Sequence, residues 1–433
     1  MNRRSFSFLL PVLTAAVVLS GGNGLRAQEA ETPVILNHAD SLVGSEVAGE
    51  QVKELIGNVR FTQGRVVVSC RKAVQYLVSK KISLEGEVEV LDSTMRMVGD
   101  HGMYYSAERT AEAFDRVMVE DGQTILKSGY GKYFAKDKRA FFTTNVHVED
   151  SSSILTSDSL IYFREDQHSI AMGRVAIQNP ANRMTIYGGH FENYKRRKTS
   201  RMTVSPRLVQ VDTAGGRADT LTVTSLEMVS VEDTIEQLHA IDSVRIRRRE
   251  LEAVAGTAQF FTKLDSIVLR RTPFIWYRSD SGEVNQLSGD SVFLHLKKRK
   301  LERIYVRGNA HAIAQVDSSW PNRYNQMIGQ QIVMKFADNK PTEIDVHKTA
   351  ISLYYLFDGR KPNGANRTSG DEVIIYFRSG KLDRLKVVAG VEGQYFPERM
   401  IRKRETEYNL PGFVWRAPED LFRYRRPPSG DVK

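Results

Sequence analysis

The chain has 433 residues, of which 41% are hydrophobic and 26% charged, an ordinary globular balance that excludes a disordered or collagen-like chain. Its formal charge of +10 suits anionic partners, such as phosphorylated lipid, a membrane surface or nucleic acid. Cys70 is the only cysteine, which excludes an intrachain disulfide, and its alternating strand context Val66–Cys70 predicts a buried, inert thiol.

Residues 1–27 read as a cleaved secretory signal. Arg3 and Arg4 precede an apolar run from Phe6 to Leu19, and small residues follow it up to Ala27. The run is short for a membrane span. Export makes nucleic acid the least fitting of the anionic partners. Removing Arg3, Arg4 and Arg26 leaves a charge of +7 (10 − 3).

From Pro33 the chain alternates apolar and polar residues, the period of a strand with one buried face. Gly57-Asn58 and Gly64 bracket one such strand, and Leu84, Gly86, Val88 and Val90 share one face of another. Between Met95 and Ile177 one short unit passes three times. Gly99, Ser128 and Ser157 are evenly spaced, and Val117, Val146 and Val175 keep the same spacing. Polar turns, Ala135 to Arg139 and Arg164 to His168, separate the strands. A fixed period of about 30 residues marks a stacked repeat, whose units bury their apolar faces only against neighbours.

After Pro180 the spacing becomes longer and irregular, which places insertions in the turns. Asp212 to Asp219, with Gly215 and Gly216, is the expected internal boundary. The predicted organisation is a signal peptide over 1–27, a first run of repeats over 28–215 and a more divergent run over 216–398. Residues 399–433 form a tail rich in Pro and Arg, a cap or a disordered end.

No motif for chemistry is present: no Cys-x-x-Cys, His-Glu-x-x-His, phosphate loop or Gly-x-Ser-x-Gly. The expectation is therefore no catalytic residue, no metal site, no cofactor and no enzyme activity. The recurring Asp40, Asp100, Asp158, Asp290 and Asp371 are expected to hydrogen-bond their own turns. Basic clusters at turns, such as Lys136 to Arg139 and Lys195 to Lys198, read as a solvated rim that keeps sheet edges soluble. The functional alternative is a row of cations meeting lipid phosphates.

His38-Ala39-Asp40, then Gly57-Asn58-Val59-Arg60-Phe61-Thr62-Gln63-Gly64, then Gly86-Glu87-Val88-Glu89-Val90 resemble the OstA/LptA family of periplasmic lipopolysaccharide-transport and organic-solvent-tolerance proteins. The family's second Ala-Asp step is Ser69-Cys70 here. The resemblance covers about Val34 to Val211 and is diffuse beyond. It implies an all-β fold, an elongated open β-jellyroll ("taco") solenoid of stacked antiparallel strands. It also implies a periplasmic location, in association with the outer membrane. The implied function is binding and transport of lipopolysaccharide, with lipid A acyl chains shielded in an apolar groove. The implied partners are inner- and outer-membrane transport proteins joined by β-strand addition, together with head-to-tail self-association. Candidate inward-facing groove residues are Val59, Phe61, Val88, Val90, Val117, Val119, Val146, Val148, Val175 and Ile177. Two other readings stand beside this one: a structural or adhesin-like β-solenoid with a closed interior, and a polysaccharide-acting β-helix enzyme.

Overall fold

The computed structural model describes residues 32–418 except 94, 122–123, 213–218, 233–235, 250, 262–263, 279–283, 298–299, 317–318, 338–339 and 379–380. The signal-peptide reading of residues 1–27, the glycines of the expected boundary and residues 419–433 lie outside the described residues.

Among the described residues, 28 strands from Ile35–His38 to Glu392–Phe396 join one antiparallel sheet. From Glu50–Gln63 to Met184–Tyr194 each strand pairs with the next in sequence. Alternation fixes which face of each strand is buried. A second local feature fixes the shape: nearly every long strand carries a bulge midway. On alternate strands two adjacent residues there have positive φ, as at Gly57-Asn58, Gly86-Glu87, Asp115-Arg116, Thr144-Asn145 and Gly173-Arg174. A bulge bends its strand. Stacked bulges therefore fold the whole sheet over along a spine of corners, and each strand contributes two limbs. Only glycine is tolerated at some corners. A Cβ at Gly57, where φ is +79°, would collide with the Asp40 carboxylate.

The corners recur at one constant interval up to Gly173, and this interval is the period visible in the sequence. Beyond it most steps are longer, as from Gly308-Asn309 to Lys348-Thr349. The added residues were expected in the turns. Instead, much of the length goes into the strands, since Lys340–Asp358 and Lys361–Arg378 have 19 and 18 residues against 11 in Met95–Tyr105. A strand can lengthen without disturbing its neighbours when the extra residues pair with each other at a limb's free end.

The recurring aspartates also differ from expectation. They sit beside the corners and reach across to the next strand's corner residue, rather than bonding their own turns. Asn58 donates to Asp40 (3.1 Å) and Asn309 to Asp290 (3.1 Å). Arg116 donates to both oxygens of Asp100 (2.8 Å each), and Arg174 to Asp158 (2.8 Å). For Asp371 the contact is from its own backbone N–H to the Ala389 carbonyl (3.0 Å). A further small difference concerns His168, which opens the strand His168–Asn179 rather than closing the turn before it.

Two rows of cross-strand partners run the length of the sheet and face each other inside the fold. On one limb the register joins Phe61, Val68, Val90, Met97, Val119 and Leu126 in direct succession. It continues through Val148, Leu155, Ile177, Ile186, Leu208 and Val223. On the other limb Ala113, Gly131, Phe142, Leu160, Ala171 and Phe191 follow one another in the same way. These rows form one unbroken apolar core from Leu55 to Ile375. Strand pairing crosses the expected boundary near residue 215 without a break, since Arg207–Asp212 pairs with Asp219–Thr224.

Candidate functional site

The interior between the limbs is the feature that no single strand explains. Val59, Val88, Val117, Val146 and Val175 lie next to the corners, at the closed bottom of the fold, and each is at most 1% exposed. Phe61, Val90 and Val119 sit one step toward the mouth and are buried as well. Val148 and Ile177, the next two in that position, are only partly buried against the core. All ten residues singled out in the sequence thus belong to this one interior. The five beside the corners stay buried throughout, and only Val148 and Ile177 are partly exposed.

The reason lies at the free edges of the two limbs. In the first third of the sheet those edges are clasped together. Tyr104, at the end of one limb, donates its hydroxyl to Gln63 at the end of the other (2.6 Å), and Gln63 in turn donates to the Ser106 carbonyl (3.1 Å). Tyr133 donates to Asp92 (2.6 Å), which also faces Arg164 at 3.7 Å. The Phe61 and Tyr104 rings touch across the interior, with centroids 5.6 Å apart. Burial pushes the Tyr104 phenol up to about 12, and burial with the adjacent Asp92 raises that of Tyr133 further. Both tyrosines therefore stay neutral hydrogen-bond donors.

Further along, the carboxylate equivalent in place to Asp92 is turned away. Asp150 accepts instead from the backbone N–H groups of Ser152 and Ser153 in its own turn (2.8 Å each). From this point the inward residues Leu155, Tyr162, Ile177, Met184, Ile186 and Leu221 are only partly buried. This partly exposed apolar edge, here termed the mouth, is packed against the core, and Leu208 and Val223 in the same row stay buried. Two depressions, of about 530 and 710 Å³, are lined by charged groups such as Arg247 and Glu252 in one, and Arg71, Glu87 and Arg116 alongside Val59, Val88 and Met118 in the other.

The tail forms a second structure that the sequence did not display. After Phe396 the chain makes a short helix, Glu398–Ile401, and a 3-10 turn, Glu405–Tyr408. It then runs over the outer face of the late strands, crossing them. Its backbone is received by side-chain amides. Gln286 donates to the Val414 carbonyl (2.6 Å) and accepts from the Arg416 N–H (2.9 Å). Gln326 donates to the Asn409 side-chain Oδ1 (2.6 Å) and accepts from the Leu410 N–H (2.8 Å), and the Trp276 indole donates to the Arg416 carbonyl (2.7 Å). Arg323, fully buried beneath the strap, is held by Glu398 (2.7 Å) and Glu405 (3.2 Å). Ile401 and Leu410 complete a small second core with Leu353, Tyr355 and Ala365.

Cys70 is buried near the corner, and burial pushes its thiol up to about 11, which keeps it protonated and unreactive. No helix among the described residues is long and apolar enough to cross a membrane.

A folded-over antiparallel sheet with an unbroken apolar interior and a partial mouth defines the chain as an all-β trough protein. Residues 31–185 match the family model described as OstA-like protein. Among solved structures, the chain is similar to LptH, described as the LptA-homologous periplasmic component of the conserved lipopolysaccharide transport device from Pseudomonas aeruginosa. That likeness has 14% identity, covers 34% of this chain and 96% of LptH, and has a TM-score of 0.26. No curated protein matches the chain in sequence.

Proposed function

We propose that the chain binds lipopolysaccharide in the periplasm, shields its acyl chains in the apolar interior, and bridges inner- and outer-membrane transport components by pairing of its end strands. The observation that supports this reading is the continuous apolar interior, whose residues Leu155, Ile177, Met184, Ile186 and Leu221 are only partly buried. Burial removes about 25 cal/mol for each Å² of apolar area from water, so several acyl chains left in water would cost tens of kcal/mol. A trough removes most of that cost with no catalytic group. The OstA-like segment supports the same assignment.

The ends of the sheet support the bridging role. Among the described residues the first leg, Ile35–His38 and Ser41–Val47, pairs only with Glu50–Gln63 and leaves its other edge free. Its Ile35, Leu42, Val43 and Val47 are exposed. A free, apolar edge is a template for strand addition. The last leg, Lys381–Val388 with Glu392–Phe396, carries Arg384 and Lys386, which blunt an edge by charge.

Photo-crosslinking residues placed at Ile177 and Ile186 are expected to capture lipopolysaccharide, whereas the outward positions Met118 and His147 give none. Labelling from the outward positions alone would reject the trough. A closed structural solenoid is the second reading, favoured by the clasped and fully packed first third. It predicts no capture from either set.

A further inference from the structure

On the outer face of the late strands, two residues of one strand and one of its neighbour come together. Asp345 and His347 are i and i+2 in Lys340–Asp358, so they project from the same face. Glu372, in Lys361–Arg378, is the direct cross-strand partner of His347. The imidazole lies between the two carboxylates, with Nε2 2.9 Å from Asp345 and Nδ1 3.2 Å from Glu372. All three ligand atoms lie within 4.8 Å of one another.

Among the described residues no Lys or Arg pairs with Asp345 or Glu372. A neutral imidazole has one N–H, so it can donate to one carboxylate and must turn a lone pair toward the other. The second oxygen of Asp345, Oδ1, is buried and has no hydrogen-bond partner among the described residues. Burial, aided by Glu372 and Glu343, holds the Asp345 carboxyl above the usual carboxylate range. Lys335, on the neighbouring strand, is engaged by Glu343 at 2.7 Å.

We propose that Asp345, His347 and Glu372, brought together across one strand pair, bind a divalent first-row transition ion of the Zn2+ class. One imidazole nitrogen and two carboxylates suit such an ion better than Ca2+, which takes oxygen ligands. Zinc–ligand bonds of about 2.0–2.2 Å set neighbouring donor atoms a little over 3 Å apart, so the carboxylate facing the other ring nitrogen turns toward the nitrogen that holds the ion. Both strands are locked in the sheet, and the partly exposed side leaves a position for water. The ion ties the two longest strands together beneath the last leg.

The test is calorimetric titration of the full chain, carrying no affinity tag, with zinc chloride and separately with calcium chloride at neutral pH. One zinc site is expected, with calcium giving no saturable binding. Glu372→Gln, which keeps the shape of the side chain, and His347→Ala should each weaken zinc binding by at least the roughly tenfold that outer-sphere partners alone are worth. Circular dichroism checks that both variants fold. His190→Ala, at a separate His–Glu contact, should leave the affinity unchanged. Absence of zinc uptake by the wild type would overturn the proposal. So would an affinity equal in wild type and Glu372→Gln.

Discussion

At the scale of single residues, the clasp turns a pattern of tyrosines into a closure. Tyr104, Tyr133 and Tyr162 stand at equivalent positions of successive repeats, and the first two donate to side chains on the opposite limb. Their buried phenols link the clasp to pH. In the folded chain the Tyr104 proton is held to about pH 12, whereas an unfolded tyrosine loses it near pH 10. Its stabilisation is therefore full below pH 10 and is lost as pH rises through 12, amounting to roughly 2–3 kcal/mol over that window. Denaturant midpoints at about pH 9 and about pH 11 measure it. The wild type should lose more stability across that interval than Tyr104→Phe, which lacks the ionising group. Tyr104→Phe should also be less stable at neutral pH by about 1–2 kcal/mol, because it leaves Gln63 without its donor. Equal pH slopes in the two proteins would refute the assignment.

At the scale of elements, the repeat was legible in the sequence because its cause is local. Alternation gives the strands, and each corner needs two left-handed residues, which fixes a constant interval wherever the limbs keep one length. That regularity ends when limbs lengthen, so strands such as Lys340–Asp358 dissolved the period while the sheet continued. The clasp was half visible, since the tyrosines stood in the repeat, but partners such as Gln63 and Asp92 occupy ordinary turn-flanking positions. The strap was hidden for a different reason. Gln286, Arg323 and Gln326 read as solvent-facing polar residues, and only Phe274-Ile275-Trp276-Tyr277, apolar on both faces, signalled that something covers the outer surface. The aspartates were misjudged because a Gly-Asp or Ser-Asp step suits its own turn as well as a neighbour's corner.

The strap makes a prediction of its own. Ending the chain after Tyr408 removes the backbone groups that meet Trp276, Gln286 and Gln326 and leaves those buried groups facing water. Tryptophan emission should shift to the red, and the chain should lose several kcal/mol, since each orphaned buried polar group costs about 1–3 kcal/mol. An unchanged emission maximum and denaturation midpoint would show that the strap contributes nothing to the fold.

At the scale of the whole molecule, the sheet is a one-dimensional object. Each leg adds about 4.8 Å along the stack. The apolar rows run through nearly every leg, so the interior is a path rather than a pocket. Along it the environment changes in order: an exposed apolar first leg, a clasped and packed third, a mouth from Leu155 to Leu221, and a late portion strapped from outside by residues 397–418. A short stack would offer no room for segments differentiated in this way. On the proposed function, acyl chains would enter at the middle rather than at the clasped portion.

The most direct measurement is lipid retention by the full chain, first delipidated and then incubated with lipopolysaccharide and examined by native mass spectrometry. The wild type should retain lipopolysaccharide, and Ile186→Asp, which places a charge at the rim of the mouth, should retain little while keeping its strand content. A wild type that retains none, or an Ile186→Asp chain that retains as much, would contradict the account.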